Sequence, residues 1–415
     1  MSEDLSHLRE SIAVEAAPAS RERRSVVLAY AIFALVGLSA GVGGVLLLPQ
    51  LRDYGVDRAT IGLIFFTGSA GFLLASAASG PLIQRYGVRP ALLIGGGLFV
   101  ASGLYVATRP PFAAFVLVQL LVGYGTGLLE SVLNTHLTSV SRATTRLNRL
   151  HAFFGVGALV GPLLAAWMLT VARWPMVWLV VALLGLVLLA MIPANFAGRA
   201  DAPSASPAQP SPAPSGPLLT AALRQPAIVL GATLLAVYVG LELSLGNWGF
   251  AYLVEARALP DLVAGYTVSG YWLGLTLGRF LISPILTRLG LTTVGLMYTC
   301  LAGVAVAATV TWLLPWPAVA GVGFAALGFF LGPIFPTAMA VTPQLTSTHL
   351  VPTAIGVMNA GSVVGGSALP WLAGVVAQSV SAWTLLPFAL TLALLQLVVW
   401  RGMHAAAERG QLRSR

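Results

Sequence analysis

Three observations predict an all-α membrane protein with twelve transmembrane helices in two six-helix pseudo-symmetric halves. Apolar runs of about 20–28 residues recur along the whole chain, each long enough to cross a hydrocarbon core of about 30 Å. Charged residues make up only 8% of the sequence, against roughly a quarter in a water-soluble domain, so most of the surface must face something other than water. The runs lack the period-2 alternation of a barrel strand. A helix is then the form that satisfies every backbone group inside a lipid-facing segment.

In chain order, residues 1–24 are polar and charged. They contain no short apolar core before a small-residue cleavage site and read as a cytoplasmic tail. Spans follow at 25–50, 59–83, 90–108, 111–139, 148–171 and 174–194, making an N-terminal half over 25–194. Residues 195–224 carry the tract Ala202-Pro203-Ser204-Ala205-Ser206-Pro207-Ala208-Gln209-Pro210-Ser211-Pro212. Such a composition has little apolar surface to bury and reads as a disordered or extended linker. The C-terminal half, 225–401, holds spans at 225–254, 262–287, 291–314, 316–342, 351–377 and 382–401. A basic cytoplasmic tail, 402–415, ends the chain.

The net charge of +9 comes from arginine alone, since the chain has no lysine. Its placement gives orientation rather than a nucleic-acid surface. Arg21, Arg23, Arg24, Arg85, Arg89, Arg142, Arg146, Arg149, Arg199, Arg224, Arg288, Arg401, Arg409, Arg413 and Arg415 fall on one side of the membrane. Arg52, Arg58, Arg109, Arg173 and Arg257 fall on the other. By the positive-inside rule both termini are cytoplasmic, in an inner or plasma membrane. The single cysteine, Cys300, lies in an apolar run, so neither a disulfide framework nor a cysteine metal site is expected. No Walker A loop, zinc-like cluster or spaced nucleophile and base occurs, so no enzyme activity, metal or cofactor is expected. The expected partners are the lipid bilayer and a small-molecule substrate, with the protein acting as a monomer.

The halves share a faint repeat. Pro81-Leu82-Ile83-Gln84-Arg85-Tyr86-Gly87 closes span two, and Pro284-Ile285-Leu286-Thr287-Arg288-Leu289-Gly290 closes span eight. Gly123, Gly125 and Gly127 in span four have counterparts in Gly321, Gly323, Gly328 and Gly332 in span ten. Two parallel halves around a midplane site are a standard plan for a secondary transporter.

The run from Gly80 to Pro90, with Gly80, Arg85, Gly87 and Arg89, resembles the signature loop between spans two and three of the major facilitator superfamily. The resemblance covers essentially all twelve spans and makes those four residues candidates for the cytoplasmic gate. Gln84 stands where that loop usually has an acid, and Gln119 where span four often has an arginine. Within the superfamily, the stretch Gly125 to Asn134 followed by Leu147-Asn148-Arg149-Leu150-His151-Ala152-Phe153-Phe154-Gly155 resembles the fucose/galactose/glucose–proton symporters and their sodium–glucose relatives. That resemblance implies a place on the sugar and proton pathway for Glu130. Those symporters also use an aspartate in span one, where this sequence has no acid from Ser25 to Gln50.

Among the 13 acids, only Glu130 and Glu242 sit well inside apolar spans, and Arg279 is the only arginine that does. Holding such a group at the centre of a bilayer costs about 2.5–3.5 kcal/mol on insertion scales, so it usually faces a cavity or a partner. A proton relay is the functional reading of Glu130 and a structural ion pair the bland one; for Glu242 the two stand level. Helical rise puts Glu130 and Arg279 both about 26 Å from the outer ends of their spans, and Glu242 about 22 Å up from the inner end of span seven. Depth thus favours a Glu130–Arg279 pair, with Glu242 left to a polar cavity. His151, near the inner end of span five, is a further candidate proton stop or partner. The coupling ion is H⁺ or Na⁺.

Polar groups on helix faces suit a sugar. Asn134 follows Glu130 by four residues, and Ser269, Trp272, Thr276 and Arg279 follow helical spacing on span eight. Asn134, Gln50, Gln119, Asn247, Trp248, Ser269, Trp272 and Asn359 are the candidate substrate-binding residues, and Glu130, Arg279, Glu242 and His151 the candidate ion-coupling residues. Trp174, Trp178, Trp312, Trp316 and Trp383 lie near span ends and read as interfacial anchors. The expected function is ion-coupled symport, with H⁺, of a sugar or similar small polar solute by alternating access. The alternative is a proton-coupled efflux antiporter for drugs or amphiphiles. It draws on Gly155, Gly157 and Gly161-Pro162, a run that resembles an antiporter motif and that close helix packing would also explain.

Overall fold

The computed structural model describes residues 2–196, 216–288 and 290–413. The helices in chain order are α1 (Ser2–Tyr54), α2 (Arg58–Ile61), α3 (Leu63–Tyr86), α4 (Val88–Ala107), α5 (Phe112–Thr138), α6 (Ala143–Leu169) and α7 (Trp174–Asn195). They continue with α8 (Gly216–Leu223), α9 (Pro226–Glu255), α10 (Asp261–Arg288), α11 (Thr293–Leu313), α12 (Pro317–Leu331), α13 (Ile334–Leu345), α14 (Val351–Ser379) and α15 (Leu385–Arg413). Among the described residues, 11 helical segments are long and apolar enough to cross a membrane. The 28-residue α10 brings the bundle to twelve. Large apolar side chains such as Leu117, Val322 and Val398 stand exposed around the bundle, as a lipid-facing surface requires.

Helix boundaries follow local chemistry. The Asp57 carboxylate accepts the Thr60 N–H at 2.7 Å and caps α2. Gly87, at φ +89°, turns the chain between α3 and α4 in a conformation that a side chain would resist. The expected span 316–342 is broken, with α12 ending before Gly332-Pro333 and α13 starting after it, because proline cannot continue the hydrogen-bond ladder. Both expected tails are largely helical, since α1 begins at Ser2 and α15 runs to Arg413. The tract 202–212 lies outside the described residues. The end of the 195–224 interval is not extended but forms α8, which packs on α9 and α14.

Packing repeats itself along the chain. α1 lies along α6 and α7, α3 along α5, and α4 along α5 and α7. In the same order, α9 lies along α14 and α15, α10 along α12, and α11 along α12 and α15. The two groups meet where α6 faces α10, α3 faces α14 and α1 faces α9. The glycine-rich fourth span and its counterpart serve corresponding contacts: Gly123 lies against the Gly68 carbonyl of α3, and Gly328 against the Tyr271 carbonyl of α10. Small residues let these backbones approach without a hydrophobic drive from water.

Candidate functional site

Arg279 projects from α10 toward α9, where its Nη2 lies 3.5 Å from the Glu242 carboxylate. The expected Glu130–Arg279 pair is therefore not formed; Glu242 holds Arg279 instead. The reason lies in side-chain direction. A helical side chain leans toward its own N-terminus, and α10 and α9 run in opposite senses, so the two charges lean toward each other across the difference in depth. The Tyr271 hydroxyl donates to the Glu242 carbonyl at 2.9 Å. The Tyr238 hydroxyl lies beside both charged groups without forming a well-shaped hydrogen bond to either. Neither tyrosine is among the sequence candidates, although Tyr238 sits four residues before Glu242 and so on its face.

Glu130 is half-buried on α5, and among the described residues no cation lies within ion-pair distance of it. Asn134, one turn on, donates its amide to the Glu130 backbone carbonyl at 2.9 Å. Asn247 does the same to Leu243 at 2.8 Å. These bonds use the amide N–H of each and leave the side-chain oxygen unengaged by them. His151 is exposed on α6, edge-on to Phe33 at 5.5 Å and within electrostatic reach of Arg279 across the α6–α10 seam. On the same seam Gly155 lies against the Thr276 side chain, while Gly157 and Gly161 lie against α1.

Gln119 lines a cavity of about 400 Å³ between α3 and α5 on one side and α9 and α14 on the other, with Ser69, Thr126 and Ser362 as its other polar groups. Ser269 and Trp272 are buried, Trp272 against Gly246 of α9. Trp248 is not placed as an open sugar platform. Its indole donates to the Pro370 carbonyl at 2.7 Å and its ring packs near Phe65 and Gly374. Gln50 is buried near the end of α1, and Asn359 is exposed on α14. In the candidate gate, Gly87 makes the turn, Arg85 is exposed with its guanidinium 5.3 Å from the Tyr86 ring centroid, and Gly80 and Arg89 are half-buried.

The end of the bundle that holds Tyr54 and Glu255 is tied across the two groups of helices. Arg58 pairs with Glu255, the Arg58 N–H donates to Gln378 Oε1 at 3.2 Å, and the Trp371 indole donates to the Ala59 carbonyl at 3.1 Å. Arg52 adds a longer approach to Glu255, 3.8 Å. A bundle interior that holds a few polar and charged groups and is closed at one end by ties between two helix groups is suited to moving a solute.

A family model described as the Major Facilitator Superfamily matches residues 27–318. Bypass of stop codon protein 6 of Saccharomyces cerevisiae is 26% identical over 387 residues, which is 86% of this chain and 77% of the yeast protein. A glucose/galactose transporter of Brucella abortus is 23% identical over 359 residues, 81% of this chain and 83% of that one. In fold, the chain is similar to a bacterial homolog of the human lysosomal transporter Spinster, in its inward-facing and unoccupied conformation. The TM-score is 0.75 at 12% identity, over 94% of this chain and 97% of that one. The matched model spans well over half of a twelve-helix bundle, and the chain belongs to the Major Facilitator Superfamily of secondary transporters.

Proposed function

We propose that this chain is a proton-coupled symporter for a sugar or similar small polar solute, working by alternating access with both termini in the cytoplasm. The observation that carries this reading is Glu130. It is a half-buried carboxyl deep in α5 with no cation within ion-pair distance among the described residues, while the other membrane-embedded acid is held by Arg279. A lone carboxyl at that depth can take a proton from one side and yield it to the other as access switches. Free amide oxygens on Asn134 and Asn247, and Gln119, Ser69, Thr126 and Ser362 in an otherwise apolar cavity wall, supply neutral acceptors and donors for hydroxyl groups. Similarity to the Brucella glucose/galactose transporter supports the solute class. The glycine run that would favour efflux is accounted for by packing, since Gly157 and Gly161 lie against α1.

The test is uptake of a labelled hexose panel into proteoliposomes under an inward proton gradient, comparing the wild type with Glu130→Gln. The wild type is expected to accumulate solute, and the variant to lose accumulation while keeping counterflow. Hexose uptake under neither a proton nor a sodium gradient rejects the sugar reading and turns attention to efflux of amphiphilic cations. Undiminished accumulation by Glu130→Gln removes Glu130 from the coupling role.

A further inference from the structure

The cavity of about 400 Å³ between the two helix groups has two unlike faces. Ser69 of α3 and Gln119 and Thr126 of α5 line one of them, and among the described residues none of the three makes a side-chain hydrogen bond. Their neighbours on the same helices behave differently. Thr67 donates to the Ile64 carbonyl at 3.2 Å, Ser76 to Phe72 at 2.9 Å and Thr135 to Ser131 at 2.9 Å. That local back-bond is how a helical hydroxyl ordinarily satisfies itself. Ser69, Gln119 and Thr126 are half-buried, and packing does not close off their polar atoms. They face open space with donors and acceptors unengaged.

The face from α9 and α14 is apolar. Val239, Leu243 and Val363 line it, and the first two lie against the bare backbone of Gly366. The Ser362 hydroxyl beside them donates back to the Asn359 carbonyl at 2.7 Å. No charged side chain is among the described residues that line the cavity. Gln119 and Thr126 lie about 10 and 21 Å along α5 from its N-terminal end. The cavity is therefore at mid-membrane depth, where polar groups turned to lipid would be costly. Thr126 stands one turn before Glu130 on the same helix face, and a helical side chain leans toward its own N-terminus. The Glu130 carboxyl thus leans toward this space.

We propose that this cavity holds the transported solute, and that the solute is a neutral glycoside with a flat apolar aglycone rather than a free hexose. The sugar hydroxyls meet Ser69, Gln119 and Thr126, and the aglycone ring lies against Val239, Leu243 and Val363. A free hexose would leave the second face to water, and an aromatic alcohol would leave the first without partners. A charged sugar would find no countercharge on the wall. The inference rests on the sugar reading for the hydroxylated half of the solute, and its binding test does not depend on coupling.

The test is calorimetric titration of the full chain in lipid nanodiscs with D-glucose, phenyl β-D-glucoside and benzyl alcohol, with the signal of empty nanodiscs subtracted. Glycoside detergents are kept out because they share the proposed chemistry. The glucoside is expected to bind about 10- to 100-fold more tightly than glucose, the gain from burying one apolar ring, and more tightly than benzyl alcohol. Leu243→Asn, which makes the second face polar at nearly constant size, should bring the glucoside close to glucose. Ser69→Ala/Thr126→Val should weaken the glucoside about 5- to 50-fold, the loss of two neutral hydrogen bonds, and leave benzyl alcohol unchanged. The binding stoichiometry reports the folded fraction of each variant separately from its affinity. Equal binding of glucoside and glucose by the wild type, or binding of neither, overturns the site. So does a glucoside preference that survives in Leu243→Asn, or undiminished glucoside binding by Ser69→Ala/Thr126→Val. Benzyl alcohol binding as tightly as the glucoside overturns the glycoside class. Proton-driven glucose accumulation without a glucoside preference overturns this inference and leaves sugar symport standing. A glucoside preference without gradient-driven accumulation of either sugar supports the site and overturns symport.

Discussion

Asp57 shows how a single side chain at the membrane surface can set a local helix. It is exposed between α1 and α2, and its carboxylate is held below the ordinary aspartate range by the hydrogen bond from Thr60. A group whose folded pKa is lowered contributes fully above the ordinary value, and that contribution is lost as the pH falls through the lowered one. Protection of the 55–62 segment in hydrogen exchange, corrected for intrinsic rate, should therefore hold through mild acid and decline only as the pH falls below the ordinary aspartate value. Asp57→Ala should lose that protection at every pH. Asp57→Asn, which keeps an acceptor and cannot ionise, should show protection that does not change with pH. An acid loss of equal size in Asp57→Asn would place its origin elsewhere. The residue scale is also where the sequence was least readable. Depth along an axis can be counted from a sequence, but the azimuth of Arg279 and the lean of its side chain depend on which helix stands beside α10. The partner turned out to be Glu242 for that reason. Tyr238 and Tyr271 were hidden likewise, because an apolar span with a tyrosine in it looks the same whether the hydroxyl meets lipid or a buried charge.

At the scale of elements the apolar periodicity was enough to place the spans to within a few residues, because lipid thickness leaves little freedom in length. What it could not supply were interruptions and extensions. Gly332-Pro333 breaks one span into two helices, and α8 forms in an interval whose composition reads as linker. The glycines were legible as a pattern, but their partners were not. Gly157 sits where any Cβ would fall on the Ala34 carbonyl of α1, whereas Gly97 on α4 has nothing within 4 Å of the same position. Gly157→Val should accordingly destabilise the protein by about 1–3 kcal/mol through overpacking of the α1–α6 seam. Gly97→Ala should stabilise it by about 0.5–1 kcal/mol by removing mid-helix glycine entropy. Melting temperatures of the two variants in the same detergent provide the check. Shifts of the same sign would mean that close approach is not what the α1–α6 glycine supplies.

For the molecule as a whole, the ties at the Tyr54 end define which conformation is held. Arg58 and Glu255 come from different helix groups, with side chains 16% and 27% exposed. The backbone and indole bonds to Gln378 and Ala59 lie alongside them. These groups are separated by about 200 residues or more of sequence, so no local pattern announces them. They meet only because α2 and α3 pack against α14 while α9 ends beside them. A partly exposed pair of this kind contributes about 1 kcal/mol, enough to shift a two-state population about fivefold. Arg58→Ala should therefore move the ensemble toward a form open at this end. The measurement is a spin-label distance between Thr108→Cys and Ser379→Cys, both exposed and on opposite groups, in a Cys300→Ala background that leaves no other thiol. Arg58→Ala should add or enlarge a longer-distance population, and the charge swap Arg58→Glu/Glu255→Arg should reduce it again. If the distribution is unchanged in Arg58→Ala, the ion pair is incidental and the indole bond from Trp371 to the Ala59 carbonyl becomes the closure to break next, by Trp371→Phe. Recovery in the swap has a further consequence. It would assign the closing force to the pairing itself rather than to the fixed shape of either helix, because the swapped residues keep the contact and change everything else about it.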